Sequence, residues 1–303
     1  MKIGILSFTS PKKRALKEEY RLVEEAKKLG HKARIFRKAR CQLVYDSKSQ
    51  RVLYDGKKFP ERDVIITRPS FLSSVDLNTT VIKQLQYMGF TIFNDSKSIK
   101  RAKNKLKTLQ ILDHKKIPVP DTVVVSHLKY LDFAIKKVGG PPVIIKTPYG
   151  SYGSGVVIAE SKRAIYSALD AIWGSGSNYF LIQAFLKKSK GKDTRVFVVG
   201  GKVVGAMTRI AKRGEFRSNL ELGGTSEGVE VSPEYKKIAI DATDSLGLQV
   251  AGVDIIETEE GPAVLEVNAN PGFKGLEEST GLNIAGEMIK FAEKYVEKVK
   301  KET

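Results

Sequence analysis

The sequence is poor in the residues that most often carry thiol, imidazole and redox chemistry. Cysteine occurs once in 303 residues, as Cys41. That excludes an internal disulfide and any multi-thiolate zinc site, and a lone thiol reads as a small core residue rather than a nucleophile. Histidine occurs three times, as His31, His114 and His127. None stands beside a serine or cysteine motif, so each reads as structural or exposed rather than as the base of a nucleophilic triad. No apolar run approaches the roughly 20 residues that span a bilayer. The first residues, MKIGILSF, lead into TSPKKR with no signal-peptide pattern, so a cytoplasmic protein without a membrane partner is expected.

Two nucleotide signatures are missing as well. The first strand-to-helix turn is FTSPKKR, without GxGxxG, so the N-terminal segment lacks a Rossmann dinucleotide site. The pairs Gly56–Lys57, Gly191–Lys192 and Gly201–Lys202 each lack a glycine five positions before their own, so there is no P-loop. RRM, KH and zinc patterns are absent, as is a basic stripe interleaved with aromatics. If the protein uses ATP, it does so by another route.

What is present is an ordinary globular composition with an excess of positive charge. Hydrophobic residues at 41% and charged residues at 28% support an ordered enzyme-sized core of two or three subdomains. Lys and Arg outnumber Asp and Glu by 52 to 34, a net +18, so the surface should attract nucleic acid, nucleotides or acidic peptides. Along the chain, KIGILSF, ARIF, VIIT at 64–67 and TIFN at 91–94 read as strands, with helices over 12–29 and within VIKQLQYMG. Residues 1–97 therefore read as an open βα domain. A lysine-rich helix is expected over 98–116, then strand, glycine-rich loop and strand in PPVIIKTPYGSYGSGVVIAE, a helix over 162–173 and a dividing loop GSGSN. YFLIQAF, TRVFVVGG and KVVGAMTRI read as strands, 233–246 as a helix, AGVDIIET and PAVLEVNAN as a strand pair, and 284–300 as an amphipathic helix.

Three stretches carry candidate chemistry. In LEVNANPG (265–272), strand alternation puts Glu266 and Asn268 on one face and Leu265 and Val267 on the other, with Asp254 of GVDII on a neighbouring strand. Two carboxylates and an amide oxygen suit Mg²⁺ or Mn²⁺. Any one of them alone could be a strand-end residue satisfied by backbone or solvent, but burying unpaired carboxylates among VDII and LEVN costs several kcal/mol. Second, Lys146 closes the apolar strand VIIK just before Gly150, Gly153 and Gly155, which reads as a flap over phosphates or as no more than a flexible turn. Third, in FRSNLELGG (216–224), Arg217 and Asn219 share a face if the chain is extended there, and an arginine fork suits a carboxylate or acyl-phosphate. The same stretch fits a solvated basic loop equally well, with Lys212 and Arg213 close by.

The order Lys105, Lys146 with its glycine loop, Asp193 in DTRVFVVGGKVV, FRSNL, GVDI and LEVNANPG resembles the ATP-grasp superfamily, and within it the RimK-type α-L-glutamate ligases. MKIGILS at the start and ESTGLNIAGEMIKF at the end are similar too, so the resemblance covers essentially the whole chain. It implies an ATP-grasp fold, mixed α/β and α+β. A pre-ATP-grasp domain (1–97) would precede two subdomains that clamp ATP, a small one with the flap (98–175) and a C-terminal one with the metal site (176–303). Lys105, Lys146, Gly153 and Asp193 would bind ATP, and Gln183, Ala184 and Phe185 would form the adenine hinge. Asp254, Glu266 and Asn268 would hold two Mg²⁺ or Mn²⁺ ions, and Arg217, Ser218 and Asn219 would meet the terminal phosphates or the acyl-phosphate. The hinge departs from the family, which has Gln-Glu followed by an aromatic residue where this chain has Ala184.

The reaction implied is transfer of the ATP γ-phosphoryl to an acceptor carboxylate, then attack by the amino group of L-glutamate, with Lys146, Arg217 and Asn219 as the catalytic set. RimK-type enzymes extend the C-terminus of small-subunit ribosomal protein six, while near relatives act on coenzymes or amino-group carrier proteins. An acidic acceptor and a homo-oligomer are the partners implied. Two other classes remain open: a basic nucleic-acid-binding protein, on the net charge and the clusters Lys12–Arg14 and Lys187–Lys192, and a degenerate ATP-binding scaffold, for which Ala184 is the hint.

Overall fold

A computed structural model describes residues 1–10, 14–46, 50–71, 74–150, 155–173, 179–189 and 191–302. The chain opens with a parallel four-stranded sheet in the order β2-β1-β6-β7, made of β1 (Lys2–Ser7), β2 (Lys32–Arg37), β6 (Val64–Arg68) and β7 (Ile92–Phe93). Helices α1 (Lys17–Lys28) and α2 (Val75–Tyr87) connect its strands. Between β2 and β6 lies a small antiparallel sheet of β3 (Cys41–Tyr45), β4 (Gln50–Tyr54) and β5 (Lys57–Lys58), which the sequence pattern did not suggest. The first helix starts at Lys17 rather than at 12, where the Glu19 carboxylate accepts the Leu16 N–H at 3.0 Å and satisfies a first-turn donor.

The single helix expected over 98–116 is two, α3 (Ser96–Lys103) and α4 (Lys105–His114). Asn104 separates them in an extended conformation, and its side chain caps α4 by accepting the Lys107 N–H at 3.1 Å. An antiparallel sheet in the order β10-β9-β11-β8 follows, built from β8 (Thr122–Val125), β9 (Val143–Lys146), β10 (Val156–Ala159) and β11 (Phe180–Ala184). It is backed by α5 (Leu131–Lys137) and α6 (Lys162–Trp173). β11 pairs with both β8 and β9 although it lies beyond 174–178, the loop at which the sequence suggests a division. That loop itself falls outside the described residues.

The remaining sheet is antiparallel, β14-β13-β12-β15-β16, formed by β12 (Lys192–Val199), β13 (Lys202–Ile210), β14 (Thr225–Gly228), β15 (Val250–Thr258) and β16 (Gly261–Asn268). Helices α7 (Pro233–Leu246), α8 (Lys274–Thr280) and α9 (Ile284–Glu302) cover it. Strand alternation feeds two cores at once: Val196 and Val198 of β12 pack with Leu6 and Ile65, whereas Phe197 and Val199 pack with Ile3, Ile5 and Phe93. The N-terminal and five-stranded sheets are thereby fused. The four-stranded sheet of β8–β11 keeps its own core of Val125, Ile145, Leu169, Phe180 and Ile182, and faces the larger body across a cleft. Among the described residues no helix is long and apolar enough to cross a membrane.

Candidate active site

A cavity of about 530 Å³ lies in that cleft, within the size range of nucleotide sites. Lys105, Lys146, Gln183, Ala184, Phe185, Asp193, Arg217, Ser218, Asn219, Asp254, Glu266 and Asn268 all line it. Gly153 lies outside the described residues. The sequence candidates thus come together although up to 163 positions separate Lys105 from Asn268 along the chain.

The oxygen set is assembled by strand register. Asp254 of β15 pairs with Glu266 of β16, and Gly252 with Asn268, so the three polar side chains stand on facing strands. The register slips between Asp254 and Ile255, leaving Leu265 as an extra residue in the bulge. Leu265 therefore lines the cavity beside Glu266, instead of pointing to the opposite layer as simple alternation predicts. Gly252 has a packing reason to be glycine: a Cβ there would lie 2.7 Å from Pro271 Cβ, in the loop that follows β16.

Asp254 is buried and held by two arginines the sequence did not single out. Arg195 grips it with Nε–Oδ1 at 2.7 Å and Nη2–Oδ2 at 2.8 Å. Arg209 Nη2 reaches Asp254 Oδ2 at 2.9 Å and also donates to Asp193 at 2.6 Å. Burial pushes the Asp254 carboxyl up, but the two guanidiniums more than offset it and hold the group below the usual carboxylate range. Asp193, expected at ATP, is thus tied in this structure to Arg209. The signal that could have found both arginines is the one used for Asp254: a charge inside an apolar strand, here TRVFVV and AMTRI.

The remaining oxygens suit a hard cation. Asn268 Nδ2 donates to Asp254 Oδ2 at 3.2 Å, which leaves its amide oxygen as an acceptor. Glu266 is more open to the cavity, with Lys105 Nζ 3.8 Å from its Oε1. An ionised carboxylate offers about four lone-pair positions, and Arg195, Arg209 and Asn268 together occupy that many on Asp254, so a cation bound there would displace one of these donors. No three His, Cys, Asp or Glu side chains cluster among the described residues, so the set consists of two carboxylates and one amide, with room for water and phosphate oxygens.

The opposite wall is cationic. Lys146 ends β9, and burial in the cleft lowers its pKa to about 8. Lys105 opens α4, where its N–H donates to Pro148 O at 2.8 Å and its Nζ to Gly150 O at 3.1 Å. Asn104 Nδ2 donates to Tyr149 Oη at 2.9 Å, so the α3–α4 junction holds the base of the glycine-rich segment. Lys103, which the sequence did not single out, also lines the cavity, and burial lowers its pKa to about 8.

At the expected hinge, Gln183 is buried and its Nε2 donates to Thr122 Oγ1 at 2.8 Å, while the Ala184 N–H donates to Asp121 O at 2.9 Å. Phe216–Asn219 is irregular rather than an extended strand, yet Arg217, Ser218 and Asn219 all reach the cavity. Arg217 is not simply solvated: it pairs with Glu215 through Nη2–Oε2 at 2.6 Å, and those hydrogen bonds hold the Glu215 carboxyl down to about 2. Arg68, also unforeseen, closes β6 and donates from both Nη atoms to Pro271 O at 3.1 Å with its guanidinium over Phe273. Among the described residues no histidine or cysteine lines the cavity. His31 instead contacts Glu293 at 2.8 Å, consistent with a structural part.

The family description RimK-like ATP-grasp domain matches residues 102–292, and RimK PreATP-grasp domain matches residues 1–99. A protein named probable alpha-L-glutamate ligase from Aliivibrio fischeri (strain MJ11) is 40% identical over 294 residues, 97% of this chain and 96% of the relative. One with the same name from Coxiella burnetii (strain Dugway 5J108-111) is 40% identical over 300 residues, 99% and 98% of the two chains. The crystal structure of a RimK domain ATP-grasp protein from Sphaerobacter thermophilus DSM 20745 matches with a TM-score of 0.74 at 21% identity, covering 96% of this chain and 99% of that one. At that identity the likeness is one of fold. With matches running nearly end to end and a cleft that gathers the expected residues, the chain belongs to the RimK-like ATP-grasp family, ATP-dependent ligases that form amide bonds.

Proposed function

We propose that the protein adds L-glutamate to the C-terminal carboxylate of an acidic acceptor, in the manner of a ligase for a small-subunit ribosomal protein, through an acyl-phosphate. The observation that carries this is the convergence of Asp254, Glu266 and Asn268 with Lys105, Lys146 and Arg217 on one cavity. ATP would lie with its base near Gln183, Ala184 and Phe185. Because the Gln183 side chain and the Ala184 N–H already have partners, main-chain groups beyond Ala184 would carry the adenine contact. Lys105 and Lys146 would bind the phosphates, with Gly153 and its neighbours as the cover and Ser218 and Asn219 beside the transferred group. Two Mg²⁺ or Mn²⁺ ions on Asp254, Glu266 and Asn268 would supply Lewis-acid neutralisation of the triphosphate. Arg217, turning from Glu215, would hold the acyl-phosphate; the glutamate nitrogen then forms the C–N bond, the C–O bond to phosphate breaks, and the nitrogen proton leaves to solvent. Excluding water matters here because an acyl-phosphate hydrolyses.

The domains we propose are 1–97, then a small subdomain from 98 that runs past 175 to Ala184 because β11 completes its sheet, then the remainder. A coenzyme or an amino-group carrier protein is the alternative acceptor. Replacing Lys146→Ala or Glu266→Ala should reduce acceptor-dependent ADP formation by at least about 10²-fold with the circular dichroism spectrum unchanged, since each removes charge stabilisation from the transferring phosphoryl. Wild-type turnover in either variant would refute the assignment.

A further inference from the structure

A second cavity, of about 400 Å³, opens on the N-terminal domain outside the reaction cleft. We propose that it is an exosite for the acidic segment of the acceptor, binding a run of peptide carboxylates while the chain end occupies the cleft. The inference deepens the ligase reading and rests on it for the peptide nature of the ligand. Its walls carry Lys27, Arg34, Arg37 and Arg40 with Tyr20 and Tyr54, and no carboxylate is among its lining residues. Asp55 offsets Arg40 and the Glu19 carboxyl lies near Arg37, yet the concavity keeps a surplus of positive charge that an anion would relieve.

The guanidiniums are set in place by aromatic rings. Arg34 lies 5.3 Å from the Phe36 ring centre and 5.7 Å from that of Tyr54, and Arg40 lies 5.1 Å from Tyr54. Arg40 also pairs with Asp55, which holds its fork at the rim. Such pinning reduces the side-chain entropy lost when a carboxylate binds. The same contacts argue against nucleic acid: Tyr54 is only 5% exposed, with guanidiniums and Phe59 against it, so Tyr20 is the one wall ring open for base stacking.

The two cavities are neighbours. Ala15 lines the outer one, whereas Leu16 and Glu18 line the reaction cleft, so the first turn of α1 separates them. Arg37 from the outer cavity and Arg68 from the cleft both act on the buried Glu19 carboxyl in that turn. A helix is about 10 Å across and an extended peptide rises about 3.3 Å per residue, so roughly three or four residues bridge the sites. An acceptor ending in several glutamates could then hold both, and would be retained between additions.

The test uses the intact protein and a fluorescein-labelled peptide of six glutamates, with binding followed by anisotropy without ATP. Wild type should bind, more weakly as salt rises, and the double variant Lys27→Glu/Arg34→Gln should bind about tenfold more weakly. Arg34→Lys, which keeps the charge, should retain most of the affinity. In ligation, the double variant should raise KM for the long acidic acceptor about tenfold while leaving kcat, KM for ATP and KM for a glutamyl dipeptide unchanged. Equal binding by wild type and double variant, or displacement of the peptide by an equally charged oligonucleotide at lower concentration, would overturn the exosite. If the peptide binds as described but no acceptor is extended, the ligase reading fails and the cavity assignment stands.

Discussion

Burial lowers the pKa of Lys146 from its ordinary 10.5 to about 8, so at neutral pH the fold holds an ammonium where water is scarce. The unfolded chain then binds more protons than the folded one between about pH 8 and 10.5. The penalty is present in full below that window and is relieved as pH rises through it. Lys146→Met should therefore stabilise the nucleotide-free protein at pH 7 by on the order of 1–3 kcal/mol, and that gain over wild type should shrink towards zero by about pH 10.5. Urea unfolding of both proteins at several pH values checks it; a gain that does not change with pH would contradict the assigned cause. A gain that fades as pH rises would fit the phosphate contact proposed for Lys146, a lysine kept where methionine is the more stable choice. The sequence makes Lys146 visible as a cation closing the apolar strand VIIK, and Arg68 closes VIIT in the same way. Arg195 and Arg209 stand out as charges inside apolar strands, but one strand alone does not say what such a charge faces; the registers Arg195↔Asp254 and Asp193↔Arg209 do.

Elements turn these residues into a site. The break at Asn104 makes Lys105 the first residue of α4 and fastens it to the glycine-rich segment, which a continuous helix over 98–116 could not do. Strand periodicity exposed β15 and β16 and their polar positions, but not the bulge that turns Leu265 into the cavity, since a one-residue slip depends on the partner strand. Short elements such as β3–β5, β14 and α8 left too little periodicity to read. The joint between the N-terminal sheet and β15–β16 is equally invisible in the sequence. There Asn94 donates to Val250 O at 2.7 Å and Ala269 O at 2.9 Å, and accepts from the N–H groups of Gln249 and Val250 at 2.8 and 3.0 Å. Asn94→Ala would leave those buried main-chain groups unpaired, and should destabilise the protein by about 3 kcal/mol. A change below about 1 kcal/mol in the urea unfolding free energy would mean that the joint is held by packing alone.

At the scale of the molecule, two fused sheets carry the oxygen set, Asp193 and the two arginines Arg195 and Arg209, while the separate β8–β11 unit brings Lys146 and Gln183–Ala184 to face them. The net charge of +18 suits a nucleotide, and it suits the carboxylate-rich acceptor proposed above. The most direct measurement is intact-mass spectrometry of a glutamate-ended peptide incubated with the protein, ATP, Mg²⁺ and an equimolar mixture of amino acids, with ADP counted in parallel. We predict successive increments of one glutamyl residue, one ADP per increment, and none without ATP. Increments of another amino acid, or ADP released with no gain in peptide mass, would contradict the account.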